Sequence, residues 1–206
     1  MRDQRSMQSK YGTLVLSFVF LAVPAWADYP AGMDAYNRGD YSAALREWQA
    51  LAVQGNRGAQ FNLGQLYAKG LGVPQDYVLA RQWFEKAAFQ GHAEAQTSLG
   101  ALYLNGYGVT QDYQQALFWF HQAARQGYAR AYTQLGLMYE RGNGVPQDIV
   151  VAHKWYILGA ANGDTLGAEH RDATAEQMTP AQLFQAQERA REWRLKSNEQ
   201  RPSRTR

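Results

Sequence analysis

"LGQLYAKGLGVPQD", residues 63–76, packs three glycines and a proline into fourteen residues, a loop-like composition. The same phrase returns as "LGALYLNGYGVTQD" from Leu99 and as "LGLMYERGNGVPQD" from Leu135, each copy 36 residues after the last. Blocks of that length tile 57–92, 93–128 and 129–164 without a gap, and 13 of their 36 positions are identical in all three. A fixed period in this range means one supersecondary unit that cannot cover its own apolar face and stacks on its neighbours to do so.

Within a block the unit reads as two helices. Ala59, Leu63, Leu66 and Tyr67 recur at helical spacing and form one stripe. Gly64 interrupts that stripe at a cost of about 1 kcal/mol relative to Ala, so a partner helix is expected to approach closely there. Gly70 and Gly72 stop the helix, Pro74 blocks its continuation, and Asp76 stands where the next helix needs an N-cap. Ala80, Trp83, Phe84, Ala87 and Ala88 make the second stripe, which ends at Gly91. Trp83, Trp119 and Trp155 share one repeat position, and their spacing assigns them to inter-helix packing rather than to a ligand groove.

Residues 28–56 form a partial leading unit. Gly39, Tyr41, Ala44 and Trp48 align with Gln75, Tyr77, Ala80 and Phe84 if the connection between its helices is shortened. After the third block, residues 165–195 read as capping helices that close the stack, and Thr179-Pro180-Ala181-Gln182 starts the last of them as a capping box. Residues 196–206 read as a disordered basic tail. The fold class is therefore all-α: a solenoid of antiparallel helix pairs.

The first 27 residues stand apart. Arg2, Arg5 and Lys10 precede the apolar run 13–23, and Ala25-Trp26-Ala27 supplies small residues for cleavage after Ala27. That order is a secretory signal peptide, and its apolar run is too short to cross a bilayer. A periplasmic or secreted chain with no stable membrane span is expected. The formal charge of +3 falls to +1 once Asp3 and the three basic residues of the leader are removed, which is no electrostatic footprint for nucleic acid. Absence of cysteine removes disulfides, thiol nucleophiles and Cys metal sites. The four histidines, His92, His121, His153 and His170, follow no metal spacing and read as surface or turn residues, so no cofactor or metal is expected.

The pattern A-x-x-x-L-G-x-L-Y-x-x-G-x-G-V-x-x-D-x-x-x-A-x-x-W-x-x-x-A-A-x-x-G fits Ala59–Gly91 and Ala95–Gly127, with Met138 and Gly159 as departures in the third block. It resembles the Sel-1-like repeat, a relative of the tetratricopeptide repeat, in a secreted bacterial-type member. The resemblance implies a scaffold holding a protein partner of the envelope or secretion machinery, without catalysis. By register with tetratricopeptide ligand contacts it places Phe61, Gln65, Thr97, Ala101, Leu104, Thr133, Leu137 and Glu140 on the concave face, together with Gly58, Ala68, Glu94 and Arg130. These positions vary between blocks while the core positions do not. Mixed apolar and uncharged polar side chains suit a docked peptide or helix. A cell-wall or β-lactam-acting hydrolase and an envelope-polymer binding module are the alternatives. For the hydrolase, neither an S-x-x-K motif nor a defensible pair of Glu140 and Asp148 is present.

Overall fold

A computed structural model describes residues 28–199; the expected signal peptide, residues 1–27, and residues 200–206 of the expected basic tail lie outside them. Ten helices and no strand occur among the described residues. They are α1 (Tyr29–Asn37), α2 (Tyr41–Val53), α3 (Arg57–Lys69), α4 (Tyr77–Phe89), α5 (Ala93–Asn105), α6 (Tyr113–Arg125), α7 (Ala129–Arg141), α8 (Ile149–Ala161), α9 (Thr165–Ala175) and α10 (Pro180–Glu199). Each packs on the next in chain order through α9, and α10 folds back on α8. Three connections of identical length join α3 to α4, α5 to α6 and α7 to α8, so each 36-residue block is one hairpin. The leading unit is a helix pair joined by three residues, as the shortened connection requires. Helix α10 runs to Glu199, four residues into the segment expected to be a disordered tail.

Local chemistry sets these boundaries. The backbone N–H groups of Gln114 and Gln115 donate to the Asp112 carboxylate at 2.9 and 3.0 Å, and Asp76 and Asp148 do the same for α4 and α8. Removing one such cap costs about 1 kcal/mol, so Asp112→Ala is expected to lower the unfolding free energy by that amount, read as a lower urea midpoint at unchanged slope. Gly70, Gly106 and Gly142 end the first helices in the left-handed region, with φ of 67°, 72° and 71°. The invariant glutamine that follows has a role its sequence position does not reveal. Nε2 of Gln75, Gln111 and Gln147 donates to the carbonyls of Ala68, Leu104 and Glu140 at 2.7–2.9 Å, satisfying acceptors the helix end leaves open. At Thr179 the capping box is reciprocal: the Thr179 N–H donates to Gln182 Oε1, and the Gln182 N–H donates to Thr179 Oγ1.

The core is a row of clusters along the stack. One joins Ala35, Trp48 and Leu63; the next joins Phe84, Leu99 and Trp119; the largest joins Phe120, Leu135, Met138 and Trp155 and is closed by Ala190 of α10. The mid-helix glycines face aromatic rings of their own hairpins: a Cβ on Gly64, Gly100 or Gly136 would stand 2.3–2.7 Å from Phe84, Phe120 or Tyr156. Trp119 and Trp155 are buried as expected. Trp83 is only half-buried, with Lys86 Nζ 4.1 Å above its ring.

Two histidines depart from the surface assignment. His153 is 3% exposed because α9 folds over it, and its Nδ1 lies 2.8 Å from Thr174 Oγ1. Since the Thr174 hydroxyl points at the His170 carbonyl at 2.7 Å, His153 Nδ1–H is the donor of that pair. His121 packs edge-on against Trp155 at 5.5 Å and beside Trp193, and burial, reinforced by Lys154 and Arg125, holds its imidazole down at about 4. An imidazole with an ordinary value of 6.5 in the unfolded chain takes its proton there first, so acid favours unfolding. Stability is expected to fall as the pH drops from 6.5 and to stop falling on this account near 4. His121→Gln should flatten that decline in urea midpoints measured across the same range, with His153 and His92, both also held low by burial, contributing to the slope that remains.

Candidate functional site: a groove on the first-helix face

Side chains from α3, α5 and α7 line a recess of about 190 Å³: Phe61 and Gln65, then Glu94, Thr97, Ser98 and Ala101, then Tyr128, Arg130 and Gln134. A second recess, of about 140 Å³, lies between Met33, Tyr36, Trp48, Asn62, Gln65 and Lys69. Gln65 borders both, so a shallow groove passes from the leading pair across the first helices of the repeats. Apolar and polar side chains alternate along it, and its charged groups are one carboxylate, Glu94, one guanidinium, Arg130, and the Lys69 ammonium of the second recess. Phe61 is fixed in its wall by stacking on His92 at 4.8 Å, and His92 in turn accepts the Ala95 N–H as the N-cap of α5. Burial lowers the affinity of His92 for a proton, which keeps that cap an acceptor near neutral pH.

Four of the eight expected contact residues, Phe61, Gln65, Thr97 and Ala101, meet in this groove. Thr97 is 6% exposed and offers little more than its methyl edge, its hydroxyl being spent on the Ala93 carbonyl. Leu104 turns toward the core and packs against the largest cluster, and Leu137 stands half-buried away from the recess. Thr133 is fully buried, contrary to its assignment to the concave surface. Its hydroxyl donates to Asp164, and Gly159 and Gly167 let the backbones of α8 and α9 close over it. Glu140 is part-buried at the far end of the first-helix face, where the Tyr156 hydroxyl donates to its Oε2 at 2.6 Å. Asn62, Ser98 and Gln134 line the recesses without having been anticipated. They occupy one repeat position and differ in all three blocks, and that variability was the available signal.

Among the described residues no three His, Asp or Glu side chains cluster as metal ligands, and no helix is long and apolar enough to cross a membrane. A stack of glycine-punctuated helical hairpins with a groove across its first helices defines a repeat solenoid. The chain belongs to the Sel1 repeat family: the family model matches residues 58–92, 93–128 and 129–164, the blocks read from the sequence with a one-residue difference at the first edge. A Sel1 repeat protein of Oxalobacter formigenes is similar in structure, with 27% identity and a TM-score of 0.62 over 85% of this chain and 86% of that one. The protective antigen c5321 of uropathogenic Escherichia coli, which displays an SLR fold, is also 27% identical, with a TM-score of 0.56 over 86% of this chain. The match covers 49% of c5321, so the chain spans about half its length. No curated protein matches the chain significantly.

Proposed function

We propose that the chain is a non-catalytic interaction scaffold of the cell envelope, and that its first-helix groove docks a peptide or helix from a protein partner. Sel1 repeat arrays generally serve protein–protein interaction, and the envelope location rests on the leader sequence. The observation that carries the reading is the division of labour along each repeat. Most positions facing the core keep one residue in every block, whereas the recess is lined by Phe61 and Thr97 at one register, Gln65 and Ala101 at a second, and Ser98 and Gln134 at a third. A surface released from packing and gathered into one continuous recess is what recognition of an extended or helical segment needs.

A photoreactive side chain at Ser98, inside the groove, compared with one at the exposed Gln82 of α4, tests this directly in living cells. A crosslinked protein partner at Ser98 and none at Gln82 is the expected pattern; equal yields at both would overturn the reading. Filling the recess with Ala101→Trp is expected to reduce that crosslink at least tenfold while leaving the helical circular dichroism unchanged.

A further inference from the structure

Three repeats of one design act as controls for one another. At the twelfth repeat position stand Ala68, Leu104 and Glu140; at the twenty-eighth, Phe84, Phe120 and Tyr156. At the sixth position of the following unit stand Ser98, Gln134 and His170. The first two junctions show that the stack closes with an apolar residue against a phenylalanine. The third replaces both at once. Tyr156 gains a hydroxyl that donates to Glu140 at 2.6 Å, and His170 lays its ring on Tyr156 at 5.0 Å with Nδ1 3.5 Å from Glu140 Oε2. Packing alone does not ask for this trio.

Nor does local electrostatics. Glu140 is the penultimate residue of α7, where the helix dipole disfavours negative charge. Among the described residues no lysine or arginine comes within ion-pair distance of its carboxylate, and Oε1 receives no hydrogen bond. Burial, together with the Glu140 carboxylate, holds the Tyr156 phenol above its ordinary range, so it remains a neutral donor that orients the acid. Glu140 and His170 both keep about a third of their side-chain surface open.

We propose that Glu140, oriented by Tyr156 and His170, is a receptor for a single basic side chain, lysine or arginine, of the segment that docks in the groove. This rests on the groove reading above and gives the partner a chemistry and a polarity. Phe61, Gln65, Ala101 and Arg130 meet its uncharged stretch near the middle repeats, and its cation is anchored at the α7–α9 end. A guanidinium or ammonium would reach Oε1 and supply the permanent positive charge that no lysine or arginine among the described residues brings to this carboxylate.

The probes are N-acetyl-arginine amide and N-acetyl-lysine amide, with N-acetyl-citrulline amide as the uncharged counterpart, titrated into the full-length chain while the carbon resonance of the Glu140 carboxyl and the His170 ring signals are followed. Saturable shifts from the two cations, with the citrulline analogue at least tenfold weaker, are expected. Glu140→Gln retains an acceptor for Tyr156 and is expected to weaken cation binding at least tenfold with unchanged helicity. Equal response to citrulline, or undiminished cation binding in Glu140→Gln, would overturn the assignment and leave the trio a staple between α7 and α9. The Ser98 crosslink reads the groove separately. A crosslinked partner with no cation response removes this proposal alone, and a cation response with no crosslink removes the groove reading and, with it, the docked segment as the source of the cation.

Discussion

Replacing Trp155 with alanine is expected to destabilise the chain by about 3–5 kcal/mol, the range for truncating a fully buried large aromatic. Trp155 is 2% exposed and joins four helices. Its ring stacks on Tyr132 of α7 at 6.0 Å, meets Trp193 of α10 edge-on at 4.7 Å, touches His121 of α6, and carries Lys154 Nζ at 3.8 Å. Among the described residues its buried indole N–H finds no protein hydrogen-bond partner, so truncation forfeits packing above all. The equivalent Trp83 is half-buried and reaches no capping helix, and Trp83→Ala is expected to cost about half as much. Urea denaturation of both variants decides the matter. Equal losses would mean that α10 does not close the stack through Trp155 and Trp193.

The second large effect distinguishes two glycines that look alike in sequence. Gly91 (φ 79°) and Gly108 (φ 65°) are both left-handed, and alanine at either should cost about 1–2 kcal/mol for that conformation. At Gly91 a Cβ would meet nothing within 4 Å. At Gly108 it would lie 2.4 Å from the carbonyl carbon of Tyr77 and 2.7 Å from the N of Val78, which are backbone atoms of the preceding hairpin with no rotamer to escape into. Overpacking of that kind adds about 1–3 kcal/mol, so Gly108→Ala is expected to destabilise by about 3–4 kcal/mol and Gly91→Ala by no more than about half that. A loss at Gly108 no larger than at Gly91 would show that adjacent hairpins do not meet at this point. Gly72 and Gly144 make the same approach to Tyr41 and Tyr113, which accounts for glycine at this position in every block.

Much of the fold was legible before any coordinates, because the repeat states each rule three times. Asp76, Asp112 and Asp148 announce helix starts, Gly70, Gly106 and Gly142 announce stops, and the alanine, leucine and aromatic stripes between them fix which faces must be covered. The groove was half legible. Register along a helix identifies a face, and Phe61, Gln65, Thr97 and Ala101 do share the recess. Register cannot tell whether a neighbouring helix lies over that face. Thr133 carries the same residue as Thr97 at the same repeat position, yet it is sealed because the unit after it contributes Gly167 where the others carry alanine. The burial of His153 is hidden for a related reason: Thr174 stands at the tenth position of the unit after the repeats, where they carry Leu66, Leu102 and Met138, so no repeat shows a hydroxyl meeting the second helix there.

Sequence by itself determined the period, the hairpin, the places where helices begin and end, and the residues that face inward, since all of these depend on side-chain type and spacing within about ten residues. Only the tertiary structure decided which loop glycines are wedged against a neighbour, which threonine is covered, and that Glu140, Tyr156 and His170 from three different helices converge. Those outcomes depend on distances between segments far apart in the chain, and local spacing carries no information about them.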